Sequence, residues 1–120
     1  MSSVLAARGS HILADLHGID AKTLRDAHYL ESLLKRAALR AGAQVLSAHF
    51  HSFGAEEGVT GIVLLAESHI SVHTWPESEF AALDIFMCGN ASPQLALEDL
   101  VRSLKPSRQK VERTERGLDG

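Results

Sequence analysis

The run "VTGIVLLA", residues 59–66, decides the fold. In an extended chain Val59, Val63 and Leu65 point to one side, and Ile62, Leu64 and Ala66 to the other. A strand that is apolar at both parities expects cover on both faces. Just before it, "GAEEG" (54–58) is a loop short enough for a hairpin, and "AQVLSAHFHSF" (43–53) reads as the preceding strand. Just after it, "HISVHT" (69–74) and "FAALDIFMC" (80–88) read as two more strands. Links this short demand antiparallel pairing, because parallel neighbours need a crossover of a dozen or more residues.

The flanks supply the helices. "SHILADLHG" (10–18) is a further strand ending in glycine. Asp20 is placed to cap a turn that leads into "LRDAHYLESLLKRAALRAG". There Ala27, Leu30, Leu33, Leu34, Ala37 and Ala41 recur at helical spacing until Gly42. The other face of this helix, with Glu31, Lys35, Arg36 and Arg40, is read as solvated. Ser92 and Pro93 suit an N-cap and first helical position, and Leu97, Leu100, Val101 and Leu104 form the stripe behind them. "RQKVERTERG" (108–117) alternates loosely, as an edge strand or a tail does. The class is therefore α+β: a two-layer α/β sandwich, an antiparallel sheet with two helices on one face. Two helices leave the other face open, while residues 59–66 call for both to be dry. A second copy packed on that face resolves the conflict, so a homodimer is expected.

The chain has 120 residues, which suits a single domain over 1–120. Its formal charge of −3, with acids and bases interspersed, argues against nucleic acid as a partner. Cys88 is the lone cysteine, so no disulfide forms within the chain. "MSSVLAARGSH" lacks the apolar core of a signal peptide, and no apolar run is long enough to span a bilayer. A cytoplasmic location follows as the expectation.

The chemistry-bearing residues permit bland readings. His49 and His51 share a strand face and could be half a metal site. No Cys or carboxylate stands at a matching offset, so the expectation is a polar strand face and no metal. His11, His17 and His28 are scattered and receive no role. A lone cysteine is most often a small buried hydrophobe, although Cys88 sits at a strand end, where side chains reach pockets. Ser68 and His73 could be nucleophile and base. Yet no third group is evident, and positions 68 and 73 differ in parity. For the two to cooperate, the chain must turn at Glu67-Ser68.

Together, "ESHISVHTWPE" and the following "AALDIFMCG" resemble the prokaryotic S-adenosylmethionine decarboxylase family. "GSHILADL", "FHSF...GVTG" and "VERTERG" stand in the family's order around them. The resemblance implies a self-processing proenzyme cut between Glu67 and Ser68, into a β chain (1–67) and an α chain (68–120). The Ser68 hydroxyl attacks the Glu67 carbonyl, and the amide becomes an ester. His73 then takes the Cα proton, and elimination leaves a covalent pyruvoyl group at position 68. Thr60 stands where the family has a serine that assists processing. The pyruvoyl ketone condenses with the substrate amine and acts as an electron sink. Cys88 matches the family's proton donor, and a thiol with the reference pKa of about 8.5 is mostly protonated at neutral pH. Glu77 and Phe53 match substrate-binding positions. The product would be the aminopropyl donor for spermidine synthesis.

Two other readings carry weight. One is a pyruvoyl-dependent decarboxylase of L-ornithine or L-arginine on the same fold, with the acids of "GAEEG" drawing in a basic side chain. The other is an unprocessed binding subunit, against which the joint presence of Ser68, His73 and Cys88 argues.

Overall fold

The computed structural model describes residues 8–117; most of the N-terminal stretch read above for a signal peptide lies outside them. Six strands form one sheet: β1 (Arg8–His17), β2 (Val45–Ser52), β3 (Val59–Leu65), β4 (Ser68–Trp75), β5 (Phe80–Cys88) and β6 (Arg108–Gly117). Their spatial order is β2-β3-β4-β5-β1-β6, and every neighbouring pair is antiparallel. Residues 108–117 are thus an edge strand, and β1 sits between β5 and β6.

Three helices lie on one face: α1 (Ala21–Leu24), α2 (Ala27–Arg40) and α3 (Pro93–Leu104). The turn expected at Asp20 is a short helix of its own, and the helical run read from Leu24 onward starts afresh at Ala27. Asp20 caps α1 by accepting from the Lys22 N–H at 3.1 Å, and Asp26 caps α2 by accepting from the Tyr29 N–H at 3.0 Å. A second good N-cap six residues after the first restarts the helix instead of letting it run through. Ser92 caps α3 as its sequence position predicts.

Strand alternation divides the sheet cleanly. Ile12, Ala14 and Leu16 of β1, Val63 and Leu65 of β3, Ile70 and Val72 of β4, and Leu83 and Ile85 of β5 are buried toward the helices. There they meet Leu30, Leu33 and Leu34 of α2 and Leu97 and Leu100 of α3 in one core. Phe50 of β2 packs over Gly61 so closely that a Cβ on the glycine would lie 2.2 Å from the ring. The two longer helices are pinned by Asp99, which is 2% exposed and is met by Arg36, Arg40 and Arg102 at 3.2–3.4 Å. Arg36 and Arg40 stay exposed, as read from the sequence, while their guanidinium groups reach Asp99 at the helix–helix seam.

The other face of the sheet is uncovered within one chain. Leu13, Leu64 and Trp75 stand on it 44%, 39% and 42% exposed. Residues 59–66 are accordingly dry on one side only, with Val59, Val63 and Leu65 inside and Leu64 outside.

Candidate active site

The hairpin joining β3 to β4 has a two-residue turn, Ala66 and Glu67, closed by the Leu65–Ser68 pair. Glu67 adopts φ 69°, a left-handed conformation that costs a residue with a Cβ. The strained residue is the one whose carbonyl precedes Ser68. Cys88, at the end of β5, grips both partners of that peptide bond. Its backbone N–H donates to Ser68 Oγ at 3.1 Å, and its thiol donates to the Glu67 carbonyl oxygen at 3.3 Å. Glu67, Ser68 and Cys88 thus form one cluster at one end of the sheet.

A second cluster lies near the other end of β4. Thr60 and His73 are cross-strand partners, with Thr60 Oγ1 3.0 Å from His73 Nδ1. Beside them, Phe53 and Glu77 line a cleft of about 320 Å³ together with Gly58 and Trp75. The buried Thr74 holds this region in place: its Oγ1 accepts from the Val59 N–H at 2.9 Å and donates to the Leu24 carbonyl at 2.7 Å. Trp75 stacks on Phe80 at 5.2 Å, and His51 meets Phe53 edge-on at 4.6 Å.

The seven sequence-selected residues are therefore brought into two groups: Glu67, Ser68 and Cys88 in one, Phe53, Thr60, His73 and Glu77 in the other. His73 stands five positions along β4 from Ser68, about 16 Å at ordinary strand rise. They also differ in parity. Ser68 alternates with the buried Ile70 and Val72, whereas His73 is exposed on the open face. The chain does turn beside Ser68, but the turn reverses it between β3 and β4 and leaves Ser68 to His73 as one regular strand. A bend cannot join them within a single copy.

Reading the sequence alone passes over a further row on the open face. His11, Phe86 and His69 stand abreast on β1, β5 and β4. His11 Nε2 lies 2.5 Å and His69 Nε2 3.4 Å from Asp84 Oδ1. Among the described residues this is the group with metal-ligating potential. Arg116 Nη1 lies 3.1 Å from His11 Nδ1, and an arginine only donates. His11 therefore accepts at Nδ1 and donates a hydrogen bond from Nε2–H to Asp84, which makes the group a hydrogen-bonded chain. His11 and His69 occupy alternate, outward positions of two central strands; that shared parity is the signal that would have found them. His49 and His51 are also on the open face, opposite Ile62 and Thr60.

Comparison with known proteins gives a consistent picture. The family model described as S-adenosylmethionine decarboxylase matches residues 10–117. The S-adenosylmethionine decarboxylase proenzyme of Sulfurihydrogenibium sp. (strain YO3AOP1) is 43% identical over 92% of this chain and 83% of that protein. Proenzyme 2 of Bacillus cereus is 46% identical over 92% of this chain and 89% of its own length. The crystal structure of the adenosylmethionine decarboxylase from Aquifex aeolicus VF5 superposes with a TM-score of 0.85 at 37% identity, covering 93% of this chain and 92% of that one. With the match running almost from end to end, the chain belongs to the S-adenosylmethionine decarboxylase family.

Proposed function

We propose that the protein cleaves itself at Glu67-Ser68 and then decarboxylates S-adenosylmethionine as a homodimer. The observation that carries this reading is the double grip of Cys88 on the scissile unit. When Ser68 Oγ attacks the Glu67 carbonyl carbon, negative charge gathers on the carbonyl oxygen. A thiol proton already directed at that oxygen opposes the charge, and a donor preset where charge develops is the most effective kind. The new O–C bond replaces the C–N bond, whose nitrogen takes up a proton. The left-handed turn at Glu67 adds strain that opening the peptide relieves.

Elimination then requires a base for the Ser68 Cα proton. His73 suits the task, since a neutral imidazole accepts protons near neutral pH, and Thr60 at its Nδ1 fixes the ring. The separation within one copy means that the partner must supply it. A two-fold pairing of open faces places the His73 end of each copy on the Ser68 end of the other and buries Leu13, Leu64 and Trp75. The dimer so formed holds two composite sites. Each joins Glu67, Ser68 and Cys88 of one copy to Phe53, Thr60, His73 and Glu77 from the other.

Elimination frees Glu67 as a carboxylate, and water displaces ammonia from position 68. The pyruvoyl group so formed supplies an electron sink for loss of CO₂. Cys88 is then placed to return a proton to the substrate carbon. Phe53 offers a ring face to the sulfonium, and Glu77 offers a carboxylate acceptor. The product serves as an aminopropyl donor for spermidine synthesis. We place the enzyme in the reducing cytoplasm, where the Cys88 thiol stays free; among the described residues no helix is long and apolar enough to cross a membrane.

Mass spectrometry of the purified protein tests the processing step. Two chains ending and starting at the Glu67-Ser68 bond are expected, the second opening with a ketone that reacts with a carbonyl reagent, and Ser68→Ala should stay intact. Released CO₂ is then measured with S-adenosylmethionine, L-ornithine and L-arginine. An uncut wild-type chain, or turnover of the basic amino acids alone, would sink the proposal. The names of the relatives do not favour those two substrates.

A further inference from the structure

The strand register sets Arg116 of β6, Gly9 of β1 and Cys88 of β5 in one row, at the end of the sheet where Glu67 lies. Neighbouring strands are about 4.8 Å apart, so the Arg116 and Cys88 positions stand roughly 10 Å apart across Gly9. The edge of the Phe86 ring occupies the space over that glycine, 2.7 Å from where a Cβ would stand, and forms the floor between the two side chains. Arg116, Gly9, Phe86, Cys88 and Glu67 line a single cavity of about 490 Å³. The guanidinium is held within it. Its carbon lies 5.6 Å from the centre of the Phe86 ring, and Nη1 donates to His11 Nδ1. His11 is fixed in turn by Asp84. That contact uses one of five N–H donors, and among the described residues no carboxylate lies within ion-pair range of Arg116. A planar cationic fork, oriented by a ring and an imidazole and open to a cavity that holds the reacting thiol, is suited to a carboxylate.

We propose that Arg116 is the carboxylate-binding residue of this reaction site. The inference rests on the processing and decarboxylation described above, which bring two carboxylates to this spot. One is the chain end created at Glu67. The other is the α-carboxylate of the substrate, borne by the carbon that Cys88 protonates. A substrate contact of this kind fades as the charge leaves with CO₂. It therefore holds the ground state more strongly than the transition state, and its loss shows in KM and not in kcat.

The test uses purified, self-processed Arg116→Gln and Arg116→Lys beside wild type, each checked for complete cleavage and for an unchanged Tm. Binding of S-adenosylmethionine and of its decarboxylated product is measured, with KM and kcat for the substrate. Accessibility of the Glu67 chain end to a carboxypeptidase is followed by mass spectrometry. If the ligand is the substrate carboxylate, Arg116→Gln weakens substrate binding about ten- to a hundredfold, as expected for a lost charge-assisted hydrogen bond. Product binding stays the same, kcat does not fall, and the Lys variant lies between. If the ligand is the chain end, both affinities hold and Glu67 becomes digestible in Arg116→Gln but not in wild type. Equal losses of substrate and product binding, or no change in any readout, would overturn the inference. An uncleaved or inactive wild type would instead defeat the underlying function.

Discussion

Mixing two inactive variants puts the separation of Ser68 from His73 to a direct test. Ser68→Ala lacks the nucleophile, and His73→Ala lacks the base. Within one copy the two residues lie about 16 Å apart on opposite faces of β4, so each intact site must draw on two chains. Co-expression of the variants in equal amounts gives homodimers of each and heterodimers in a ratio of about 1:1:2. Both homodimers are dead. In the heterodimer, Ser68 of the His73→Ala chain meets His73 of the Ser68→Ala chain, and the second site carries both lesions. Half the dimers with one good site each give about a quarter of the wild-type sites, and about half of the Ser68-bearing chains become cut. The assay is gel separation of cut and uncut chains with distinguishable tags, followed by CO₂ release at saturating substrate. Each variant expressed alone gives the baseline. A mixture no better than that baseline would refute the two-chain site, as would efficient cutting of Ser68-bearing chains in a forced monomer.

Other consequences are accessible to simpler measurements. Cys88→Ala should slow self-cleavage about tenfold or more by removing the donor to the Glu67 carbonyl, with Cys88→Ser intermediate, as timed by gel conversion of freshly made chain; unchanged conversion would remove Cys88 from processing. Asp99→Ala strips the seam between α2 and α3 of its one buried acid and leaves three arginines facing each other, so stability should fall by roughly 2 kcal/mol in urea unfolding, with cleavage chemistry intact. Gly61→Val drives a side chain into the Phe50 ring and should cost about 1–3 kcal/mol or prevent folding, whereas Phe50→Leu in the same background should recover part of the loss.

Some elements were legible because their signals are local. Phe80–Cys88 alternates without interruption, and Ser92-Pro93 marks a helix start by side-chain chemistry alone, so both were placed as they occur. The break at Arg25-Asp26 is equally local, but a strong apolar stripe running through residues 27–41 masks a second cap just ahead of it. The insertion of β1 between β5 and β6 depends on pairings up to about a hundred residues apart, which no short window contains. Asp99 shows the same limit in the helices: it lies beside an apolar stripe, and two of its three partners, Arg36 and Arg40, come from a different helix.

The site divides in the same way. Ser68, His73 and Cys88 were identifiable as residue types in a motif, and the parity conflict between Ser68 and His73 was visible in their spacing. The resolution was not, because alternation tells which face a side chain takes but not what covers that face. A bend at Glu67-Ser68 is the answer if the chain acts alone. The structure has that bend and still leaves four strand residues between the two groups. Residues 59–66 held the other half of the answer: Leu64 on the open side expects cover that α1, α2 and α3 cannot reach. One dimer dries that face and closes the distance, since the same two-fold contact that covers Leu64 carries His73 of each copy to the Ser68 end of the other, where its target is the Cα proton of residue 68 and not the hydroxyl. Self-cleavage, on this reasoning, waits for assembly, and its rate should rise with protein concentration below the dimer dissociation constant and become independent of it above.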